Sequence, residues 1–239
     1  MVKRMDKGKL EAYARSLGVD LFGVADLSPA RDFIATQGGQ HIGGYKRAVS
    51  LGVRLVDDVV DQLHDHQNLA AISTYRGLYA AVNSALDRVA LMVAKRVQKA
   101  GHRAYPVPAS SMLNNGRLEG AFSHKVAANL AGLGWIGKNC LLVNPEYGPR
   151  LRLATVLTDA PLEAENPMEN RCGSCTRCVD ICPVKAFTGA PFDPSEPRDA
   201  RFRASLCDRY TEGRISVFGD VNCGLCVYAC PYGSKRQGK

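Results

Sequence analysis

Eight of the nine cysteines of this 239-residue chain fall between Cys172 and Cys230, and seven of them stand in two groups that each end in Cys-Pro. The first group, Cys172, Cys175, Cys178 and Cys182 before Pro183, reads CxxCxxCxxxCP, the ligand run of bacterial ferredoxins. A cluster of four irons needs four thiolates converging on a cube. Two-residue spacings wrap three of them around one corner, while the cysteine before the proline serves a second cluster. The second group, Cys223, Cys226 and Cys230 before Pro231, lacks a first thiol, because Asp220 stands three residues before Cys223. Cys207 supplies one instead. The pattern predicts a 4Fe-4S cluster on Cys172, Cys175, Cys178 and Cys230, and another on Cys182, Cys207, Cys223 and Cys226. The alternative set replaces Cys207 with Asp220 or leaves one iron open. Disulfide frameworks belong to small secreted chains, and zinc would suit two CxxC pairs but not the third cysteine or the paired Cys-Pro.

These thiols occupy the last third of the chain, and the whole is 46% hydrophobic, enough for a core of its own upstream. Two domains are expected, an α/β (α+β) domain over 1–165 and a ferredoxin-like domain over 166–239. Leu10, Tyr13, Ala14 and Leu17 recur at helical spacing before Gly18, and Leu21–Val24 reads as a short strand. The glycine-rich run over 36–44 lacks phosphate-loop spacing and is read as a flexible loop. Ala48–Leu55 alternates as a buried strand, and His64 and His66 read as surface residues for want of a third ligand. Tyr75, Leu78, Val82, Leu86, Val89, Val93 and Val97 mark the longest helix, which Gly101 stops, and Arg103–Pro108 reads as extended.

Ser123 is placed to cap a helix carrying Val126, Ala127, Leu130 and Ala131, which Gly132 and Gly134 then break. Trp135, the single tryptophan, sits between glycines in Gly134-Trp135-Ile136-Gly137, where bare backbone can approach a large planar ligand. Strands over Asn139–Val143 and Leu151–Leu157, joined through Pro145–Pro149, are expected to form a hairpin. Cys140 would then be a small buried thiol on the first of them. The break between helix and hairpin suggests a cofactor pocket without naming the cofactor.

The run AGLGWIGKNCLLVNPEYG from Ala131, then LTDAPL, the two cysteine groups and the lone Cys207 resemble the core of epoxyqueuosine reductase. HKVAANLAGLG and PEYGPRLRLATVLTDAPL are also similar to corrinoid reductive dehalogenases. The resemblance is specific over about 121–231 and looser over about 48–110. It implies cobalamin or another corrinoid in a domain of nitroreductase-like type, with two 4Fe-4S clusters feeding it electrons for reductive cleavage of a substrate. Corrin contacts would fall on Ser123, His124, Gly132, Gly134, Trp135, Ile136, Gly137, Lys138 and Arg150. In epoxyqueuosine reductases an Asp-Ser-Ala-Pro run precedes the helix, and here Leu118-Glu119-Gly120-Ala121 stands there. Leucine replaces the acid. Glu119, His124 and Tyr147 are the candidate proton donors in its place. The chain reads as a short member of this group, without the C-terminal helical-repeat extension.

The formal charge of +8 would suit an acidic partner, but the basic residues are scattered, and cluster thiolates offset part of it. No apolar run reaches membrane-spanning length and no secretory or twin-arginine leader is read, so a cytoplasmic protein away from membranes is expected. Its expected partners are a low-potential donor of ferredoxin or flavodoxin type and a small-molecule substrate or tRNA. An electron-transfer protein that reduces a partner is the rival reading.

Overall fold

Asp6 opens the first helix, α1 (Lys7–Ser16), by accepting a hydrogen bond from Lys9 N–H at 3.0 Å, and Leu10 and Ala14 on its inner face are buried. In the computed structural model, which describes residues 5–113, 115–215 and 222–234, the chain divides into two compact units. One comprises 1–53, 82–134 and 152–168; the other comprises 54–81, 135–151 and 169–239.

The first unit is built on a four-stranded sheet of order β1-β2-β6-β3, with β1 Leu21–Asp26, β2 Arg47–Arg54, β3 Ala104–Val107 and β6 Leu151–Thr158. β1 runs antiparallel to β2 with Val24 opposite Val49, and β3 antiparallel to β6 with Tyr105 opposite Leu157. Helix α6 (His124–Leu130) packs on β1, so closely that a Cβ on Gly23 would stand 2.7 Å from the Ala131 carbonyl oxygen. The core joins Leu27, Ile34, Ile42, Val107, Phe122, Ala127 and Leu157. The long helix α5 (Leu69–Lys99) buries the expected stripe of Tyr75, Val82, Leu86, Val89, Val93 and Val97.

The 36–44 run is not a flexible loop. It forms the end of α2 (Arg31–Gly38) and the short α3 (Gln40–Gly43). Its glycines serve close packing, since a Cβ on Gly43 would lie 2.7 Å from that of Ala35. Ser123 stands at the N-cap position of α6, but its side chain makes no capping hydrogen bond.

The expected hairpin between 139–143 and 151–157 is absent. Trp135–Ile136 forms β4 and pairs antiparallel with β5 (Leu142–Val143), while β6 lies inside the four-stranded sheet. The reason is local: Gly137 N–H bonds to Leu141 O at 2.9 Å, and Cys140 adopts φ +54°, which no strand residue does. Cys140 is a buried thiol in a turn. The 144–148 segment forms its own turn, with the Asn144 carboxamide accepting from the Glu146 and Tyr147 N–H groups. Short helices α7 (Arg177–Asp180), α8 (Ala204–Glu212) and Leu225–Tyr228 carry cysteines of the second unit.

Candidate functional site

CxxC spacings fold as tight turns because each thiol must swing back toward a shared centre, and the backbone here does so. Cys175 N–H bonds to Cys172 O at 3.1 Å, and Gly173 between them takes φ +51°. Cys178 sits on α7, and Cys172, Cys175, Cys178 and Cys230 line one cavity whose wall includes Val143 and Tyr232. Burial, and then the sulfurs of Cys172 and Cys175, push the Cys178 thiol up to about 11. Burial with the sulfurs of Cys178, Cys172 and Cys175 takes Cys230 to about 12.

The remaining four thiols form a second group. Burial and the sulfurs of Cys223 and Cys182 push Cys207, on α8, up to about 11. Cys226 is raised by burial and by Cys223, Cys207, Cys178 and Cys182. Cys178 belongs to the first group, so the two groups lie close enough to act on each other. An apolar shell of Phe187, Ala186, Val179, Phe202 and Leu206 surrounds this second group, with Cys140 within it.

Thiols held this far above neutrality ionise only when a metal replaces the proton. Among the described residues, no three His, Cys, Asp or Glu side chains gather tightly enough to hold a single metal ion. Four thiols lining one cavity, each able to reach its own iron, match a cluster. Asp220 lies outside the described residues.

Part of the segment expected to meet a corrin ring, Trp135–Lys138, meets this cysteine site. Trp135 is 1% exposed, and its indole N–H donates to Cys172 Sγ at 3.3 Å. Lys138 Nζ donates to the carbonyls of Gly173 (2.8 Å) and Cys175 (3.1 Å). A Cβ on Gly137 would lie 3.5 Å from Cys172 Sγ and closer still to Val143 and Asn139. Asn170, which the spacing argument passed over, donates to Ile136 O and accepts from Cys172 N–H, tying β4 to the cysteine loop. Its Asn-x-Cys turn was legible; its reach to Ile136 was not.

Arg150 is fully buried and paired with Asp61 at 2.7 Å and Asp57 at 3.4 Å. Tyr147 lies under the Arg54 guanidinium, 4.9 Å from its ring centroid. His66 meets the Tyr210 hydroxyl at 2.8 Å and stacks on that ring while staying partly exposed, and His64 is exposed.

The other candidates belong to the first unit. His124 bonds the Thr155 hydroxyl through Nδ1 (2.8 Å) and donates from Nε2 to Pro108 O (2.9 Å). Burial pushes its pKa down to about 4, with the Arg152 charge adding to the fall and Pro108 O and Asp87 opposing it. It is therefore a neutral imidazole at pH 7. Glu119 is held by Arg117 (3.7 Å) and by the Asn115 carboxamide (3.2 Å). Gly134 O accepts from the Asn129 side chain at 2.9 Å, and a Cβ on Gly132 would meet Asn166 O at 2.8 Å. Met112 and Leu113, in the loop before α6, are 68% and 38% exposed.

Residues 171–233 match the family model of the 4Fe-4S double cluster binding domain, which identifies the cofactor of this segment as a pair of 4Fe-4S clusters. Curated relatives named epoxyqueuosine reductase include that of Lactococcus garvieae, 37% identical over 47% of this chain and 32% of its own length. That of Bacillus anthracis is 28% identical over 74% of this chain and 50% of its own. The chain thus spans about a third to a half of the length of these relatives. Among solved structures, a reductive dehalogenase described in terms of B12-dependent dehalogenation superposes with TM-score 0.71 at 18% identity, over 95% of this chain and 31% of its own. An epoxyqueuosine reductase solved with a modified tRNA stem loop gives 0.62 at 21% identity, over 98% of this chain and 66% of its own. The resemblance read from the sequence is shown, the mixed α/β fold is the one these structures share, and the matches support an iron-sulfur reductase.

Proposed function

We propose that this chain is a cytoplasmic corrinoid-dependent iron-sulfur reductase of the epoxyqueuosine reductase and reductive dehalogenase type. Residues 1–165 would form the corrinoid-binding domain, of nitroreductase-like type, and 166–239 the ferredoxin-like domain. Cys172, Cys175, Cys178 and Cys230 would hold one cluster, and Cys182, Cys207, Cys223 and Cys226 the other. The carrying observation is the gathering of eight thiols into two groups of four within a double-cluster domain, in a fold similar to that of a B12-dependent dehalogenase.

A bound, reduced corrinoid supplies a strong reductant and nucleophile. Support for a ring site comes from the loop before α6, where Met112 and Leu113 leave apolar surface bare, as ligand grooves do. Ser123, His124 and Gly132 are the contacts proposed there. Neutral His124, fixed by Thr155 and Pro108, would give that surface a rigid polar edge. Gly134, Trp135, Ile136, Gly137, Lys138 and Arg150 are the further contacts proposed, of which Trp135, Ile136 and Lys138 are tied to the cysteine loop and Arg150 to Asp61. Of the proposed proton donors Glu119, His124 and Tyr147, we favour Glu119, because the His124 N–H is committed to a carbonyl and Tyr147 is covered by Arg54.

Reconstituted protein incubated with hydroxocobalamin and freed of excess cofactor should retain cobalt, with a base-off Co(II) spectrum that bleaches on low-potential reduction. Two clusters without cobalt would end this reading. It would leave the second one, an electron-transfer protein that reduces a partner, which the engagement of Trp135, Lys138 and Arg150 inside the cysteine unit favours. The proposed electron donor is of ferredoxin or flavodoxin type, and the substrate a small molecule or tRNA. Salt-sensitive binding of tRNA would select the latter. No helix among the described residues is long and apolar enough to cross a membrane.

A further inference from the structure

Both clusters of a double-cluster domain are held by the same kind of ligand, so any difference between them must come from what surrounds the thiolates. Hydrogen bonds to sulfur, local charge and exposure set the potential. On reduction a cluster gains one electron and no proton, so the cluster with its four thiolates becomes more negative by one charge. A donor aimed at a thiolate, or a fixed cation nearby, stabilises that state and raises the potential.

The two thiol groups differ in this respect. Around Cys182, Cys207, Cys223 and Cys226 the shell is largely apolar, the described donors to sulfur are backbone ones, Ala186 N–H to Cys182 Sγ at 3.3 Å and Leu225 N–H to Cys223, and the Arg214 charge acts on Cys223. Around Cys172, Cys175, Cys178 and Cys230 a side chain does the work. Trp135 is enclosed, its ring meets Tyr232 edge-on at 4.9 Å between centroids, and its N–H points at Cys172 Sγ. Lys138 holds an ammonium on the carbonyls of the same loop.

We propose that Trp135 is a tuning residue: its indole N–H, donated to the Cys172 thiolate and assisted by the Lys138 charge, raises the potential of the cluster on Cys172, Cys175, Cys178 and Cys230 above the value its thiolates alone would give. The inference concerns the clusters only and stands or falls without the corrinoid. Trp135→Phe keeps an aromatic ring against Tyr232 and removes the donor.

The test is an EPR-monitored redox titration of holoprotein carrying both clusters and no corrinoid, with dithionite as reductant. One of the two midpoints should move to more negative potential in Trp135→Phe, while the other stays and iron content is unchanged. Lys138→Gln should move the same midpoint in the same direction by less. Two unchanged midpoints in a fully loaded Trp135→Phe protein, or equal shifts of both, would overturn the proposal.

If Trp135→Phe fails to assemble, the unaltered protein decides. Trp135 is the single tryptophan, so growth on indole-15N tryptophan labels one nitrogen near the clusters. Pulsed EPR of the reduced protein should show a 15N coupling on one cluster signal and none on the other. Absence of that coupling would overturn the hydrogen bond itself.

Discussion

In the second unit residues from distant stretches converge on two neighbouring groups of four cysteines, with Trp135, Lys138 and Asn170 behind the first four. In the first unit the candidates are held one by one, Glu119 by Arg117 and His124 by Thr155 and Pro108. The buried groups differ in kind as well. The second unit buries a charged pair, Arg150 with Asp61, whereas the first holds a half-buried neutral imidazole.

The widest break in this contrast would come from the thiols. Cys207→Ser should remove the second cluster and leave the first, so that iron and sulfide fall to about half while one EPR signal survives. Full iron content in the variant would mean that another group completes the set, with Cys140 and Asp220 the two to test.

How much of this was legible follows from the range of the interactions. The double-cluster segment and α5 are legible because spacing of two to four residues carries both signals. The turn at Cys140 was missed, since its positive φ is imposed by the Gly137–Leu141 hydrogen bond around it. The pairing of Trp135 with Val143 follows from that turn and not from alternation. Arg150 was taken for a ligand-facing residue because its partners, Asp57 and Asp61, lie some ninety residues earlier. The glycines of 36–44 were taken for flexibility, but Gly43 is small to fit against Ala35 and Gly38 to fit against the Ala121 backbone.

Arg150→Met sharpens the comparison of buried charge. It keeps bulk but leaves Asp61, itself 6% exposed, with a buried carboxylate and no guanidinium, and removing one partner of such a pair costs about 3–5 kcal/mol. Chemical unfolding of the variant against the parent measures it. A loss under about 1 kcal/mol, the value of an exposed pair, would mean that water reaches the site.

His124 provides the neutral counterpart. Its pKa is about 4 in the folded protein against 6.5 for the free side chain, so the unfolded chain takes up the proton first as the pH falls. Stability from this residue is complete above pH 6.5, falls by about 2 kcal/mol at pH 5, and levels off below pH 4. Thermal melting at pH 7 and pH 5 checks this, with His124→Gln expected to lose that part of the slope. An unchanged slope would place the acid sensitivity elsewhere.

The smallest effect belongs to the ninth cysteine. Cys140 packs with Cys182, Ala186 and Phe187 but belongs to neither group of four, so Cys140→Ala should keep all the iron and lose only about 1 kcal/mol of packing. The variant gains weight in combination with the first one. A thiol this close to the second group is the natural substitute when Cys207 is removed. If Cys207→Ser alone keeps its iron and the Cys140→Ala, Cys207→Ser pair loses half, Cys140 has moved in as a ligand, and the turn at φ +54° that holds it must have opened. If both keep their iron, the fourth ligand of the second cluster lies outside the cysteines altogether.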